Sequence, residues 1–262
     1  MKQAIVTGAS SGIGAAVVRQ LLEDGWQVVG MSRSLPPFSQ PNFRHLTVDV
    51  SQRSALLAAL EQIEPPQAII HAAGSMTAAT LGNLDPLHGE SLWRLHVDAA
   101  QMLVNHFAPA MRPGGRIVLL GSRTSRGAAG RSQYTATKAA LVALARSWAA
   151  ELAPAGVTVN VVAPGATDTP MLRQPGRESS PPQLPPLGRL ITPQEVVSLI
   201  SWLLSEGASA MTGQELVMGY DWSTWNQVVL IILFLAHGLL NLVESIDSKC
   251  HMKVPIDIYQ TK

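Results

Sequence analysis

Tyr134-Thr135-Ala136-Thr137-Lys138 sets a phenol and an amine four residues apart, and Ser122 stands twelve residues upstream at the end of an apolar run. If the stretch is helical, Tyr134 and Lys138 share one face, one turn from each other. A free tyrosine has a pKa of about 10 and rarely yields its proton at neutral pH. An ammonium about 4 Å away, at an effective dielectric near 20, favours the phenolate by roughly 4 kcal/mol, or about three pKa units. The pair then works as a general acid/base, with a serine hydroxyl to hold an oxygen on which charge develops. Alone, Y-x-x-x-K is weak, because such pairs more often mark a solvated helix face. What else the chain carries has to decide.

The N-terminus supplies it. Gln3–Thr7 reads as a short apolar strand opening into Gly8-Ala9-Ser10-Ser11-Gly12-Ile13-Gly14, and an amphipathic helix follows with Ala16, Val17, Leu21 and Leu22 on one face. Strand, glycine turn and helix form the context of a dinucleotide-binding loop. Gly8 permits the tight turn, Gly12 lets backbone approach a pyrophosphate, and Gly14 lets helix pack on strand. The helix N-terminus offers unpaired N–H groups and a positive dipole end to phosphate.

Strand-like and helix-like periods alternate along the rest of the chain. Strands are expected at Gln3–Thr7, Gln27–Ser32, His45–Val48, Ala68–His71, Arg116–Gly121, Thr158–Ala163 and Glu215–Val217. Helices are expected at Ile13–Asp24, Ser51–Ile63, Leu92–Met111, Ser132–Leu152 and Pro193–Ser205. The alternation implies an α/β fold: a Rossmann-type doubly wound parallel sheet of about seven strands with helices on both faces. Ligands of such sheets sit outside the carboxyl ends of the strands, where all the motifs fall. The 262-residue length suits one large domain, here 1–222, followed by an atypical tail at 223–262.

With a formal charge of +1 and 14% charged residues, no basic face advertises nucleic acid, and the motifs ask for no metal. The single cysteine, Cys250, forbids an intrachain disulfide and fits a reducing compartment. A core strand at the N-terminus leaves no room for a signal peptide, so a cytoplasmic protein is expected.

Taken together and in order, these motifs resemble those of the short-chain dehydrogenase/reductase family, in its single-domain branch, over about residues 1 to 218. The family's glycine signature appears as Thr7 to Gly14, its catalytic serine as Ser122, and its tyrosine and lysine as Tyr134 and Lys138. Asp49 and Val50 match the pair that usually contacts adenine. His71-Ala72-Ala73-Gly74 matches the family's Asn-Ala-Ala-Gly, with histidine for asparagine. Pro164-Gly165-Ala166-Thr167-Asp168-Thr169 matches the stretch that runs along the nicotinamide. The resemblance implies hydride transfer between a nicotinamide and a carbonyl or alcohol, with Tyr134 exchanging the hydroxyl proton. Lys138 then lowers the tyrosine pKa and binds the nicotinamide ribose, and Ser122 holds the carbonyl oxygen. The rival reading is a nucleotide-binding regulatory or scaffold protein that kept the fold without turnover. It is motivated by the family's missing fourth catalytic residue, an asparagine on the preceding helix, whose place is taken by His96. A histidine can donate, accept and titrate near neutrality, so a proton-relay role is open to it, beside that of a merely hydrogen-bonded core residue.

Cofactor choice turns on the end of the second strand, Gly30-Met31-Ser32-Arg33-Ser34, which has no carboxylate. Acidic residues there accept from the ribose of NAD, whereas Arg33 suits a 2′-phosphate, unless it merely decorates a solvated turn. NADP(H) is favoured, with NAD(H) possible. Relatives of this kind often form tetramers through two long helices, here Leu92–Met111 and Ser132–Leu152, so a homo-oligomer is expected; Ala139, Ala143 and Ala150 are small enough for such close packing, but also suit packing on the sheet.

Two stretches break the pattern. Residues 170–192 form a loop rich in proline, glycine, serine and arginine, readable as a substrate lid lined by Met171, Leu172, Leu184 and Leu187 or as a plain surface loop. In the tail, an apolar run from Val228 to Val243 is interrupted by His237, Gly238 and Asn241 and falls short of the roughly 20 residues a membrane span needs. Three readings compete for it: an interface helix, a membrane-associated segment, and an unrelated or frame-shifted end.

Overall fold

The computed structural model describes residues 2–173 and 184–219. The 223–262 tail and the middle of the 170–192 loop lie outside the described residues.

Seven parallel strands form one sheet: β1 Gln3–Thr7, β2 Gln27–Ser32, β3 Phe43–Thr47, β4 Ala68–His71, β5 Arg116–Leu120, β6 Thr158–Pro164 and β7 Glu215–Met218. Their spatial order is β3-β2-β1-β4-β5-β6-β7. Helices α1 Gly12–Glu23, α2 Arg53–Leu60, α3 Pro86–Trp93, α4 Ala99–Phe107, α5 Ser132–Leu152 and α6 Pro193–Leu204 connect them.

The strands are apolar on both faces, as a sheet covered on both sides requires. Ile5, Ile117, Leu119 and Val161 point into one core with Leu56 and Leu60 of α2, Leu103 and Phe107 of α4, and Leu141 and Ala145 of α5. Their neighbours Val6, Val118 and Val162 point into the other, with Val17 and Leu21 of α1 and Val197, Ile200 and Leu204 of α6. Each such buried side chain contributes roughly 1.5–3 kcal/mol. Chain order reverses between β1 and β4, and that reversal opens a crevice at their carboxyl ends. The two chains leaving it touch closely. A Cβ on Gly8 would lie 2.9 Å from the Ala72 carbonyl oxygen, and one on Gly14 only 2.2 Å from the Gly8 oxygen.

Three elements differ from their sequence reading. Strand β3 begins at Phe43 rather than His45, because its pairing partner β2 takes Phe43 opposite Val28, and the Phe43 ring packs beside Gly30. Helix α2 starts two residues late, since Asp49 accepts from both the Ser51 amide (3.0 Å) and hydroxyl (2.7 Å) and holds an open turn before it. The expected Leu92–Met111 helix actually starts at Pro86, behind an Asp85 cap that accepts from the Leu87 amide at 2.9 Å. It is also broken by a π-helical turn over Arg94–Asp98. Such turns insert one residue into the helical ladder and gather at functional sites. His96 is its central residue.

Among the described residues no helix is long and apolar enough to cross a membrane.

Candidate active site

Helix α5 brings Tyr134 and Lys138 together one turn apart, and the Lys138 Nζ lies 5.8 Å from the Tyr134 ring centroid. The amine points inward. It is buried and donates to the Leu120 carbonyl at 2.7 Å, which ties α5 to the last residue of β5. Ser122 follows two residues later, at the start of a 3₁₀ turn over Arg123–Arg126. Its Oγ accepts from the Thr124 amide at 3.2 Å and pairs with the Thr124 hydroxyl at 2.9 Å, so the serine also caps that turn.

Burial costs Lys138 its charge: desolvation lowers its pKa from 10.5 to about 7. The ammonium that was to acidify a phenol is therefore only partly charged at neutrality. Its location still favours proton exchange, since a group titrating near 7 both gives and takes protons there.

His96 reaches the same place from the π turn. Its ring meets the Tyr134 ring edge-on, with centroids 5.7 Å apart and planes at 81°. The Ser75 amide donates to its Nε2 at 3.1 Å, so Nδ1 carries the hydrogen and donates to Thr137 Oγ1 at 2.8 Å. Thr137 in turn donates to the Tyr134 carbonyl at 2.8 Å. Both ring nitrogens are thus hydrogen-bonded to protein groups. Burial first, then the Lys138 charge and His71, hold its pKa well below the ordinary value. It is a neutral strut between the Ser75 loop and the first turns of α5.

A second buried histidine, His71, ends β4. The Ala73 amide donates to Thr7 Oγ1 at 3.0 Å, and Thr7 shares a 2.9 Å hydrogen bond with His71 Nδ1. The main-chain groups of Leu95 and His96 face the ring from the π turn, yet Nε2 makes no hydrogen bond to them. Burial and then Lys138 lower its pKa to about 3.

The glycine loop is anchored by amides of Gly8 and Ala9 donating to the Met31 carbonyl at 2.8 and 3.3 Å. Ser11, at the N-cap of α1, makes no side-chain cap, and no acidic residue lies in the first turn. The helix end beside Ser10, Gly12 and Ile13 is thereby left open to an anion. Thr169 arrives from the loop after β6, its Cγ2 3.4 Å from where a Gly12 Cβ would lie. Thr167 is buried and donates to the Gly165 carbonyl at 3.1 Å, shaping the turn that leaves Pro164. Ser32 donates to the Ser34 carbonyl at 2.9 Å and lies 2.8 Å from His45 Nε2. Arg33 is exposed and forms no ion pair among the described residues. Asp49 is partly buried with one oxygen engaged by Ser51, and Val50 is buried in the core.

The two halves of the crevice meet at Gly74. A Cβ there would stand 3.1 Å from His96 Nε2 and 3.7 Å from Lys138 Nζ. The loop after β4, which carries Ala72 and Ala73 against the glycine turn, thus ends beside His96 and Lys138.

A family model described as enoyl-(acyl carrier protein) reductase matches residues 8–220. An uncharacterized oxidoreductase, YmfI, of Bacillus subtilis is 32% identical over 84% of this chain and 98% of its own length. The 3-oxoacyl-[acyl-carrier-protein] reductase FabG of Salmonella typhimurium is 31% identical over 82% of this chain and 94% of its own. Among solved structures, BdcA in complex with NADPH superposes with a TM-score of 0.73 at 27% identity, covering 83% of this chain and 92% of that one.

This chain belongs to the short-chain dehydrogenase/reductase family.

It is an NAD(P)-dependent oxidoreductase acting on alcohol or carbonyl groups. Beside the residues that the sequence of this short-chain dehydrogenase/reductase singles out stand partners that it does not. Thr137 and Ser75 are marked only by their contacts across the chain, and the role of Thr7 beside His71 and Ala73 is likewise visible only there. Of the expected lid, Met171 and Leu172 lie partly buried in a 3₁₀ turn over Pro170–Arg173. Leu184 and Leu187 are 61% and 60% exposed. Residues 174–183 between them lie outside the described residues.

Proposed function

We propose that this enzyme interconverts a ketone and a secondary alcohol with NADP(H), using Tyr134 as the group that exchanges the hydroxyl proton. The observation that carries the reading is the contact at Gly74, where the dinucleotide crevice abuts Lys138 and His96. The crevice fits such a cofactor. Gly8 leaves no room for a side chain against the Ala72–Ala73 backbone, the α1 N-terminus carries no side-chain cap, and Arg33 stands exposed at the end of β2 with no ion pair among the described residues. Arg33 suits a 2′-phosphate, and by the family resemblance Asp49 and Val50 would contact the adenine.

When bound, the cofactor supplies or accepts the hydride. In the reducing direction the carbonyl carbon gains that hydride and its oxygen gains a proton, giving alcohol and oxidised cofactor. Ser122 orients the carbonyl oxygen through its hydroxyl. Tyr134 delivers the proton, and Lys138, poised near pH 7, recharges it. His96 keeps Tyr134 in place by its edge-on packing and through Thr137, without itself titrating. Exposed Trp93 on α3 and exposed Ala143 and Ala150 on α5 support a homo-oligomer built on these helices.

Oxidation of NADPH with a panel of ketones tests the reading. Turnover is expected with at least one. Tight NADPH binding with no turnover on any ketone would instead mark a nucleotide-binding scaffold.

A further inference from the structure

Thr124 makes both of the short contacts described above at the Ser122 hydroxyl. Its amide donates to Ser122 Oγ at 3.2 Å, and its own hydroxyl lies 2.9 Å from the same atom. A hydroxyl has one hydrogen and two lone pairs, and the amide takes the first lone pair. The second contact then has two arrangements. If Ser122 gives its hydrogen to Thr124, none remains for a substrate oxygen. If Thr124 gives its hydrogen to Ser122, both lone pairs are filled. The oxygen is tetrahedral, so with Cβ and two incoming hydrogens in three directions the Ser122 hydrogen takes the fourth. Thr124, rather than rotation about the Cβ–Oγ bond, then sets where Ser122 points.

The Thr124 hydroxyl is presented by a turn that closes without it. The Ser125 amide donates to the Ser122 carbonyl at 2.9 Å, and the Gly127 amide to the Thr124 carbonyl at 2.9 Å. Gly127 leaves the turn with φ 123°, a region that favours glycine. Ser125 is buried and donates to Glu215 of β7 at 2.5 Å, which anchors the turn to the sheet. Threonine is branched at Cβ, so its hydroxyl occupies few rotamers. A fixed backbone thus carries a stiff side chain whose oxygen is in hydrogen-bond contact with Ser122.

We infer that Thr124 is a positioning residue for the reaction: by donating its hydroxyl hydrogen to Ser122 Oγ, it fixes the direction in which Ser122 donates to the substrate oxygen. The inference rests on the reading of Ser122 given above. In the reducing direction the Ser122 hydrogen bond strengthens as negative charge develops on that oxygen, and a donor already aimed costs no reorganisation. Thr124 neither gives up nor gains a proton. The proton that ends on the alcohol still comes from Tyr134.

The test uses the full chain, NADPH and a ketone that the wild type reduces. Thr124→Val keeps the side-chain shape and the backbone turn and removes the hydroxyl. It should lower kcat by roughly 10-fold, near the upper end for one neutral hydrogen bond, and leave KM for the ketone and NADPH affinity within about 2-fold. Thr124→Ser, which returns the hydroxyl, should restore kcat to within about 3-fold of wild type. Ser122→Ala should cost roughly 10²- to 10³-fold, and adding Thr124→Val to it less than about 2-fold more. An unchanged or raised kcat in Thr124→Val would make Ser122 the donor of the pair and overturn the inference. So would no recovery in Thr124→Ser, or a full 10-fold further loss in the double variant, which would place the effect of Thr124 outside Ser122. Ser122→Ala with wild-type turnover, or a wild type that reduces no ketone, would sink the reading of Ser122 itself and the inference with it.

Discussion

On the nucleotide side of the crevice, Ser11 makes no side-chain cap and Arg33 stands exposed without an ion pair among the described residues; on the other side, His96, Lys138, Thr137 and Ser122 each have protein partners within about 3.2 Å. The first half is backbone left open, and a ligand must satisfy it. The second is side chains closed on one another before any ligand arrives. This difference separates affinity from rate. Binding energy depends on donors that lack partners, whereas proton transfer depends on groups already held at their positions.

The sharpest way to break the separation is Tyr134→Phe. It should lower kcat by roughly 10²- to 10⁴-fold, while NADPH affinity, followed by fluorescence titration, changes little. Near-normal turnover in that variant would remove the proton-transfer assignment. On the open side, Arg33→Asp should raise the KM for NADPH by roughly 10- to 100-fold and leave that for NADH within a few-fold. Equal effects on the two cofactors would show that Arg33 does not read the 2′-phosphate.

The last effect is on stability rather than on turnover, and it belongs to the closed side alone. His71 (about 3) and His96 stay neutral when folded but bind protons below about 6.5 when unfolded. The unfolded state therefore binds more protons as pH falls from 6.5, and stability drops by up to about 1.4 kcal/mol per unit for each histidine. Lys138 acts in the same direction at higher pH. Folded, it loses its proton near 7, whereas unfolded it keeps it to about 10.5, so stability rises across that window. Urea unfolding between pH 4.5 and 9 should show a steady climb. His71→Asn with His96→Asn should flatten its acid limb, and Lys138→Met its alkaline limb. Slopes unchanged in both variants would mean these groups are solvated after all.

How much of this was legible beforehand varies by residue. The glycine turn, Tyr134, Lys138 and the seven strands follow from local pattern, because a strand feeding a glycine turn and a helix is a short-range event. His96 was visible as a substitution on a helix, but not its role, because its two hydrogen-bond partners, Ser75 and Thr137, lie 21 and 41 residues away. The start of the same helix is marked by Asp85-Pro86, a cap followed by a first-turn proline. Its π turn has no signature in residue type.

The sequence alone determined the fold class, the crevice at the strand ends and the chemical types gathered there, since apolar periodicity and glycine spacing act through the nearest few residues. Only the tertiary structure decided which of those groups are charged, which are held and which stay open. Burial sets the ionisation of Lys138, His71 and His96, and burial depends on what the rest of the chain packs around them.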